Sequence, residues 1–138
     1  MTMQDCLFCK IVRKEIPAAV VFEDETVVAF LDIKPVNPGH VLVVPRAHAA
    51  DYASTDDASL RDIAVVAKCV GQAVMRSLQA PGFNIGVNNG RAAGQLVDHM
   101  HLHVMPRFEG DGYELWHGKP YAEGEMQEVA EKLKTALG

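Results

Sequence analysis

Residues 98–106 read DHMHLHVMP and place half of the chain's six histidines at alternate positions, with apolar residues between them. Side chains alternate between two faces along a β-strand, so His99, His101 and His103 are predicted to share one face, roughly 6 to 7 Å from one to the next. The apolar residues point the other way, toward a core. The three imidazoles are therefore expected to line a cleft or surface open to water, a metal or a substrate. Because neighbouring imidazoles are costly as cations, at least one should be neutral at pH 7 and available as nucleophile, base or ligand.

Length and composition predict one globular domain spanning residues 1–138, with a C-terminal helical extension. Apolar residues make up 49% and charged residues 22% of the chain, which is typical of folded proteins and argues against disorder. The net charge of −5 and the lack of a dense run of Lys or Arg argue against nucleic acid as a partner. A small anionic ligand remains compatible with local positive groups.

The sequence predicts neither a membrane span nor a signal peptide. No stretch approaches the roughly 18 to 20 apolar residues needed to cross a bilayer, and residues 1–6 lack a basic region followed by an apolar one. We expect a cytoplasmic protein with no membrane partner. In a reducing compartment the three cysteines are expected to act as plain thiols or metal ligands and not as a disulfide.

The apolar pattern predicts an α+β fold, with a mostly antiparallel five-stranded sheet and a long crossover helix. A turn at 23–25 indicates a hairpin between the first two strands. The predicted strands are residues 19–22, 26–31, 41–44 and 83–87 and the histidine segment. A capping box, Ser54 with Asp57, precedes the long helix, and shorter helices are expected near 8–14 and at the C-terminus. The apolar positions of the long helix are Leu60, Ile63, Ala67, Val70, Val74 and Leu78, and those of the C-terminal helix are Met126, Val129, Leu133 and Leu137.

Cys6 and Cys9 form a C-x-x-C pair that permits three interpretations. They can be two small buried residues, a redox dithiol, or half of a zinc site. The redox interpretation is disfavoured because no strand precedes the pair, as a thioredoxin-like motif requires. A closed zinc site needs two further ligands, for which His48 and His99 are the candidates, and the spacing alone leaves zinc and buried thiols both open.

Several polar residues could assist the histidine row. His40 could hydrogen-bond one of the triad imidazoles and fix its tautomer, if the third and fifth strands are neighbours. The loop 88–95 carries backbone N–H groups, the Asn88 and Gln95 amides and Arg91, which are suitable donors for phosphate oxygens, although it lacks a Walker A ending. Asp32 follows an apolar strand, where it can cap a turn or accept hydrogen bonds from a sugar diol.

Residues 99–105 match the signature of the histidine triad (HIT) family, His-φ-His-φ-His-φ-φ with φ apolar, at every position. Further matching segments cover nearly the whole chain through Arg107, and the chain most resembles the small bacterial form of the Hint-like branch. Those segments are residues 8–11, 15–18, 30–33, 38–40 and 94–95.

The resemblance implies hydrolysis or transfer at the α-phosphate of a purine nucleoside conjugate, such as a phosphoramidate or acyl-adenylate. It makes His101 the nucleophile that forms a covalent nucleotidyl-histidine. His103 would bind or protonate around the phosphate. His40 and the carbonyl of His99 would hold the tautomer of His101, and Gln95 and the loop would stabilise charge on the phosphoryl oxygens.

The resemblance also implies the ligand sites and the assembly. An adenine-type purine is the expected base, a structural zinc the expected metal, and a homodimer with joined sheets the expected oligomer, with no organic cofactor. Residues implied to bind the nucleoside are Asp32 and Asn88 on the ribose and phosphate side and Phe8, Ile11, Phe30 and Ile33 in the base pocket; the implied zinc ligands are Cys6, Cys9, His48 and His99.

Leu96 departs from the pattern, because the phosphoramidases of this branch carry a serine there. A leucine cannot donate a proton to a departing amine, so His103, water or a different leaving group would have to compensate. Two alternatives stay open: cleavage of dinucleoside polyphosphates, as in the Fhit-like branch, and a nucleotide-binding interaction protein with incidental catalysis.

Overall fold

The computed structural model describes residues 3–138 and has the predicted α+β architecture. Its strands are β1 (Val20–Glu23), β2 (Val27–Leu31), β3 (Val41–Pro45), β4 (Gly82–Gly86) and β5 (Leu102–Arg107), and its α-helices are α1 (Leu7–Val12), α2 (Asp57–Leu78) and α3 (Glu125–Leu137). The strands form one sheet in the order β1-β2-β3-β5-β4, in which every neighbouring pair is antiparallel. None of the helices in the described residues is long and apolar enough to cross a lipid bilayer.

Strand β5, which contains His103, lies inside the sheet. Leu42 of β3 and Gly86 of β4 are its register partners on either side of His103. The third and fifth strands are therefore neighbours, as a hydrogen bond between His40 and one of the triad imidazoles requires. Helix α2 makes the crossover between β3 and β4.

Two apolar clusters hold the sheet from its two faces. On one face, α2 packs its buried stripe against the side chains that alternate with the histidines; the members of this pairing are Ile63, Val66, Ala67, Val70 and Val74 with Met100, Leu102 and Val104. On the other face, α1 packs Phe8 and its cysteines against β2 and β3. Burial of each large side chain contributes about 1.5–3 kcal/mol, so α1, although only one and a half turns long, is held mainly by this packing.

The histidine segment differs from a regular strand. Strand β5 begins only at Leu102, so His99 and His101 precede it. The backbone N–H of Met100 donates to the carbonyl of Ala49 at 2.8 Å, which ties this part of the chain to the segment after β3. The prediction that all three imidazoles line an open face is wrong for His99, which is fully buried, and for His101, which is also buried; only His103 is partly exposed.

Two predicted details of the helices also differ. Asp56, not Ser54, caps α2: its carboxylate accepts from the backbone N–H of Ser59 at 2.8 Å, while Ser54 bonds to Asp51. An aspartate at this position accepts a hydrogen bond from a backbone N–H that has no partner within the helix. Its negative charge also interacts favourably with the positive end of the helix dipole. Helix α3 forms as predicted, but none of its residues is buried in the described chain.

Candidate active site and metal centre

The hydrogen bonds of His101 determine which of its ring nitrogens carries the proton. Its Nδ1 lies 2.7 Å from the carbonyl oxygen of His99, and because a carbonyl can only accept, Nδ1 carries the hydrogen. The neutral ring then has its lone pair on Nε2. Burial lowers the pKa of His101, which keeps the ring neutral. The sequence predicted this carbonyl contact through the family resemblance.

A chain of hydrogen bonds fixes the opposite tautomer in His103. The backbone N–H of Val36 donates to Nδ1 of His40 at 3.2 Å, so neutral His40 carries its hydrogen on Nε2. That Nε2 lies 2.8 Å from Nδ1 of His103 and donates to it. His103 consequently carries its own hydrogen on Nε2, which is buried and has no hydrogen-bond partner within residues 3–138. An unsatisfied buried donor is costly, and this one is available to a ligand.

Burial and neighbouring imidazoles keep His103 uncharged. Burial is the largest cause, and the nearby rings of His101 and His40 add to it, so that the pKa of His103 falls to about 4. Asp32 acts in the opposite direction with a smaller effect. Burial also lowers the pKa of His40. The site is therefore a row of neutral rings at pH 7.

The resemblance implied that His40 holds the tautomer of His101, but in the structure His40 contacts His103 instead. The tautomer of His101 thus depends on the His99 carbonyl, and that of His103 depends on His40. The cluster of Asp32, His40 and His103 has the residue types of a cation site. However, the ring nitrogen of His40 that faces the other two carries a hydrogen, which is the wrong form for coordination.

An apolar wall borders the ring of His101. Phe8 meets the ring of His101 edge-on, with centroids 5.1 Å apart, and meets Phe30 in the same manner at 5.5 Å. Ile11 packs against the same cluster, whereas Ile33 is almost fully exposed and lies outside it. Asp32 stands beside this wall, with one oxygen accepting from the N–H of Lys34 at 2.8 Å.

Gln95 differs from its expected role as a phosphate donor. Its amide nitrogen donates to the carbonyls of Ala50 and Val97 at 2.7 and 3.0 Å, and its oxygen accepts from the N–H of Gly90 at 2.8 Å. Every amide group of this buried side chain is used within the protein, so Gln95 acts by fixing the loop before the histidines. Gly90 has a φ of 88°, a conformation that a side chain would strain.

Asn88 and Leu96 are two further residues that the sequence singled out. Asn88 is half-buried and makes one long contact, 3.4 Å, from its amide nitrogen to the carbonyl of Gly94, which leaves it capacity for a ligand. Leu96 is 83% exposed. It does not contribute to the core, and no proton donor stands at this position.

Cys6, Cys9, His48 and His99 converge on one point, with one ligand atom from each within 4.8 Å of all the others. The two histidine Nδ1 atoms lie 3.3 Å apart, and Sγ of Cys9 lies 3.3 and 3.5 Å from them. With zinc bonds of about 2.3 Å to sulfur and about 2.0 Å to nitrogen, ligand atoms of a tetrahedral site lie roughly 3.3–3.8 Å apart. The donor set and its spacing fit zinc.

The surrounding hydrogen bonds also prepare these four residues for a cation. Nε2 of His99 lies 2.9 Å from the carbonyl of Pro45 and donates to it, which leaves the lone pair of Nδ1 directed at the cluster. The backbone N–H of Cys9 points at Sγ of Cys6, 3.4 Å away. Burial raises the pKa of the Cys9 thiol to about 11, so a cation is needed to stabilise its thiolate.

The comparisons with known proteins agree with this fold. Residues 13–110 match the family model of the HIT domain. An uncharacterized HIT-like protein of Methanocaldococcus jannaschii, MJ0866, is 47% identical over 94% of this chain and 98% of its own length. The adenosine 5′-monophosphoramidase hnt1 of Schizosaccharomyces pombe is 36% identical over 96% and 98%.

Among solved structures, a zinc-bound histidine triad family protein from Mycobacterium smegmatis superimposes with a TM-score of 0.78. It is 35% identical in sequence, and the match covers 98% of this chain and 99% of that one. An antiparallel sheet that carries three spaced histidines beside a Cys/His cluster defines the class of protein. The chain belongs to the HIT family.

Proposed function

We propose that this protein hydrolyses purine nucleoside conjugates at the α-phosphate through a covalent nucleotidyl intermediate on His101. The observation that carries the proposal is the bond from Nδ1 of His101 to the carbonyl of His99, which leaves the Nε2 lone pair free in a buried, neutral ring. A module that only bound nucleotides would not need this arrangement.

The reaction proceeds in two displacements. First, Nε2 of His101 attacks the α-phosphorus; a P–N bond forms and the bond to the leaving group breaks with its electron pair. Water then attacks the same phosphorus, the P–N bond breaks, the ring recovers its lone pair and one proton passes to solvent. The products are a nucleoside monophosphate and the free leaving group. Two easier displacements replace one difficult step.

The other residues bind the substrate around this nitrogen. The unpartnered Nε2–H of His103 donates to a phosphoryl oxygen or to the leaving atom. Phe8, Phe30 and Ile11 form the wall against which the purine packs, with Ile33 at its rim. Asp32 accepts from the ribose hydroxyls, and Asn88 contacts the ribose and phosphate.

The tautomer of His103 bears on the leaving group. Its Nδ1 accepts from His40, so loss of the Nε2 hydrogen would leave an imidazolate. His103 is therefore a hydrogen-bond donor and not a source of protons at pH 7. Together with Leu96, this favours leaving groups that depart as stable anions. Acyl-adenylates fit best, and a departing amine has to take its proton from water.

A dinucleoside polyphosphate satisfies the same condition, because a phosphate also leaves as an anion. It is the second candidate substrate. A cavity of about 430 Å³ lies along β4 and β5 beyond His103, where Met105 continues the histidine face and Trp116 forms part of the wall. This cavity is large enough to receive the group attached to the α-phosphate.

We further propose that the Cys/His cluster holds a structural zinc ion. Bound there, zinc would link α1 to the segment after β3 and to the histidine segment. It would orient His99 without contact with substrate. A homodimer and a cytoplasmic location stay predictions from the sequence.

Rapid-quench mass spectrometry tests the nucleophile. The wild type and His101→Ala are mixed with an acyl-adenylate, denatured within milliseconds and weighed intact. We expect an adenylyl adduct on the wild type alone. His117→Ala, which removes an exposed ring that lies 3.5 Å from the Glu114 carboxylate, is the matched control and should keep the adduct. An adduct of equal yield on His101→Ala would disprove the role of His101.

A further inference from the structure

The last part of the loop between β2 and β3, residues 36–40, determines where the hydrogens of two active-site rings lie. The backbone N–H of Val36 donates to Nδ1 of His40 at 3.2 Å. The backbone N–H of His40 donates in turn to the carbonyl of Asn37 at 3.1 Å. Because the Val36 N–H assigns the tautomer of His40, and His40 assigns that of His103, the position of this loop bears on the site.

The side chain of Asn37 attaches this loop to the end of β5. Its amide nitrogen donates to the carbonyl of Pro106 at 2.9 Å and to Oδ2 of Asp111 at 3.0 Å. An amide nitrogen carries two hydrogens, so each of these acceptors takes one. The loop that presents the Val36 N–H is thereby joined, through a single side chain, to the strand that presents His103.

Asp111 is a charged and nearly buried acceptor. Its side chain is only 6% exposed. Besides Asn37, its donors are Nε and Nη2 of Arg107, at 2.7 and 3.0 Å, and the backbone N–H groups of Phe108 and Tyr113, at 3.2 and 3.1 Å. The Arg107 guanidinium, with the Tyr113 N–H, holds the pKa of Asp111 well below its ordinary value, so the group remains a carboxylate. Asp111 is therefore a fixed anchor for Asn37.

Helix α2 confines the same loop from another direction. Gly39 has a φ of 95°, and a side chain at this position would collide with Leu78 at the end of the helix. Glycine permits both the backbone conformation and the close approach. The loop is thus held between the Asn37 amide bonds and the end of α2.

We infer that Asn37, anchored by Asp111, is a positioning residue that sets the tautomer of His103. Without the amide, the loop loses its attachment to β5, and the N–H of Val36 is no longer held toward Nδ1 of His40. His40 can then carry its hydrogen on either nitrogen, and His103 loses the donor that keeps its own hydrogen on Nε2. The consequence for the reaction rests on the proposed function, whereas the tautomers themselves do not.

Asn37→Asp tests this inference with a side chain of the same shape. The new carboxylate has no hydrogen to donate, and it faces the carbonyl of Pro106 and the carboxylate of Asp111. Nitrogen-15 NMR of the substrate-free protein should show His103 in both tautomers, whereas the wild type should carry the hydrogen on Nε2. Amide-hydrogen exchange at Val36 should become faster. With an acyl-adenylate, kcat should fall about 2- to 10-fold, the loss expected for one hydrogen bond between neutral groups, and KM should stay unchanged.

Asp24→Asn is the matched control. Asp24 also holds a turn, since its carboxylate accepts from the backbone N–H groups of Thr26 and Val27, both at 2.8 Å. Its replacement should lower the melting temperature, yet the tautomer of His103 should remain that of the wild type. Asn37→Ala removes the donors without adding a charge and should change the tautomer in the same direction as Asn37→Asp. It keeps the test decisive if circular dichroism shows that the charged variant does not fold.

A wild-type tautomer of His103 in a folded Asn37 variant would overturn the inference, because Asn37 would then only stabilise the fold. The same tautomer change in Asp24→Asn would also overturn it, since any loosened turn would have that effect. A wild type that does not hydrolyse the acyl-adenylate would count against the proposed function, and the NMR measurement would still decide the role of Asn37.

Discussion

Nε2 of His40 lies 2.8 Å from Nδ1 of His103, and this contact determines which nitrogen of His103 faces a ligand. His40 is itself oriented by the N–H of Val36. This backbone group therefore determines, through His40, which nitrogen of His103 carries the proton. His40 acts through His103 and is a positioning residue.

Replacing His40 should disturb this arrangement without unfolding the protein. His40→Phe removes the donor, so His103 should populate both tautomers, and kcat should fall about 2- to 10-fold, the equivalent of the roughly 0.5–1.5 kcal/mol that a hydrogen bond between neutral groups contributes. Nitrogen-15 NMR of the histidine rings measures the tautomer directly. His40→Gln, whose amide can still donate, should restore part of both readouts. A His103 tautomer unchanged in His40→Phe would refute the relay.

The lowered pKa of His103 has a consequence for stability in acid. The unfolded chain binds a proton near the ordinary value of 6.5, while folded His103 does so only near 4. As the pH falls from 6.5 toward 4, protons therefore favour the unfolded state, by up to about 1.4 kcal/mol per pH unit for this one group. Above pH 6.5 the ring is neutral in both states and has no such effect.

Urea unfolding of His103→Gln at pH 7, 6 and 5 measures that contribution. The variant should lose less stability than the wild type between pH 6.5 and 4, because one buried histidine no longer titrates. Parallel curves for the two proteins across this range would contradict the assignment of a low pKa to His103.

Leu96 governs the leaving group according to the proposed chemistry. Leu96→Ser should increase kcat/KM for an adenosine phosphoramidate by about 10- to 100-fold, since a hydroxyl can pass a proton to the amine. Hydrolysis of an acyl-adenylate, which leaves as a carboxylate, should change little. Leu96→Ala is the control for size and should raise neither. Because the side chain is 83% exposed, the free energy of unfolding should stay within about 0.5 kcal/mol.

The Cys/His cluster should contain one zinc ion per chain in protein purified without added metal. Elemental analysis of Cys9→Ser should show loss of the ion, and its melting temperature should fall to that of chelator-treated wild type. Cys69→Ser, which changes an exposed thiol outside the cluster, should keep both the ion and the melting temperature. Substoichiometric metal in folded wild type would return Cys6 and Cys9 to the interpretation as plain buried thiols.

The loop before the histidines should depend on Gln95. Gln95→Glu replaces two donated hydrogen bonds by contacts between a carboxyl group and the carbonyls of Ala50 and Val97, so unfolding should become easier by about 1–3 kcal/mol. Thermal unfolding measures this change. An unaltered melting temperature would show that these bonds do not fix the loop.

The sequence was sufficient to predict the fold, because the apolar periodicities of its helices and strands are consistent with one another. The stripe of α2 and the apolar residues between the histidines are complementary halves of one cluster, and the structure confirms both. The family resemblance also named the four residues of the Cys/His cluster, although three of them lie far from His99 in the chain.

What the sequence could not show are the backbone groups that assign the protons. The carbonyl of Pro45, the N–H of Val36 and the carbonyl of Ala50 fix the roles of His99, His40 and Gln95. Any residue type provides such a group, so no spacing or composition reports it. The late start of β5 was missed for a similar reason, because alternation continues through His99 in sequence although the ladder does not.

His99 serves two sites with two different atoms: its ring belongs to the Cys/His cluster, and its main-chain oxygen holds His101. The carbonyl would persist under any substitution at position 99, so the identity of the first histidine in the motif reports the metal centre alone. Of the three alternating imidazoles, only those of His101 and His103 take part in the proposed reaction. A redesigned protein that lacked the Cys/His cluster could therefore carry another residue at position 99 and still present the same main-chain carbonyl to Nδ1 of His101.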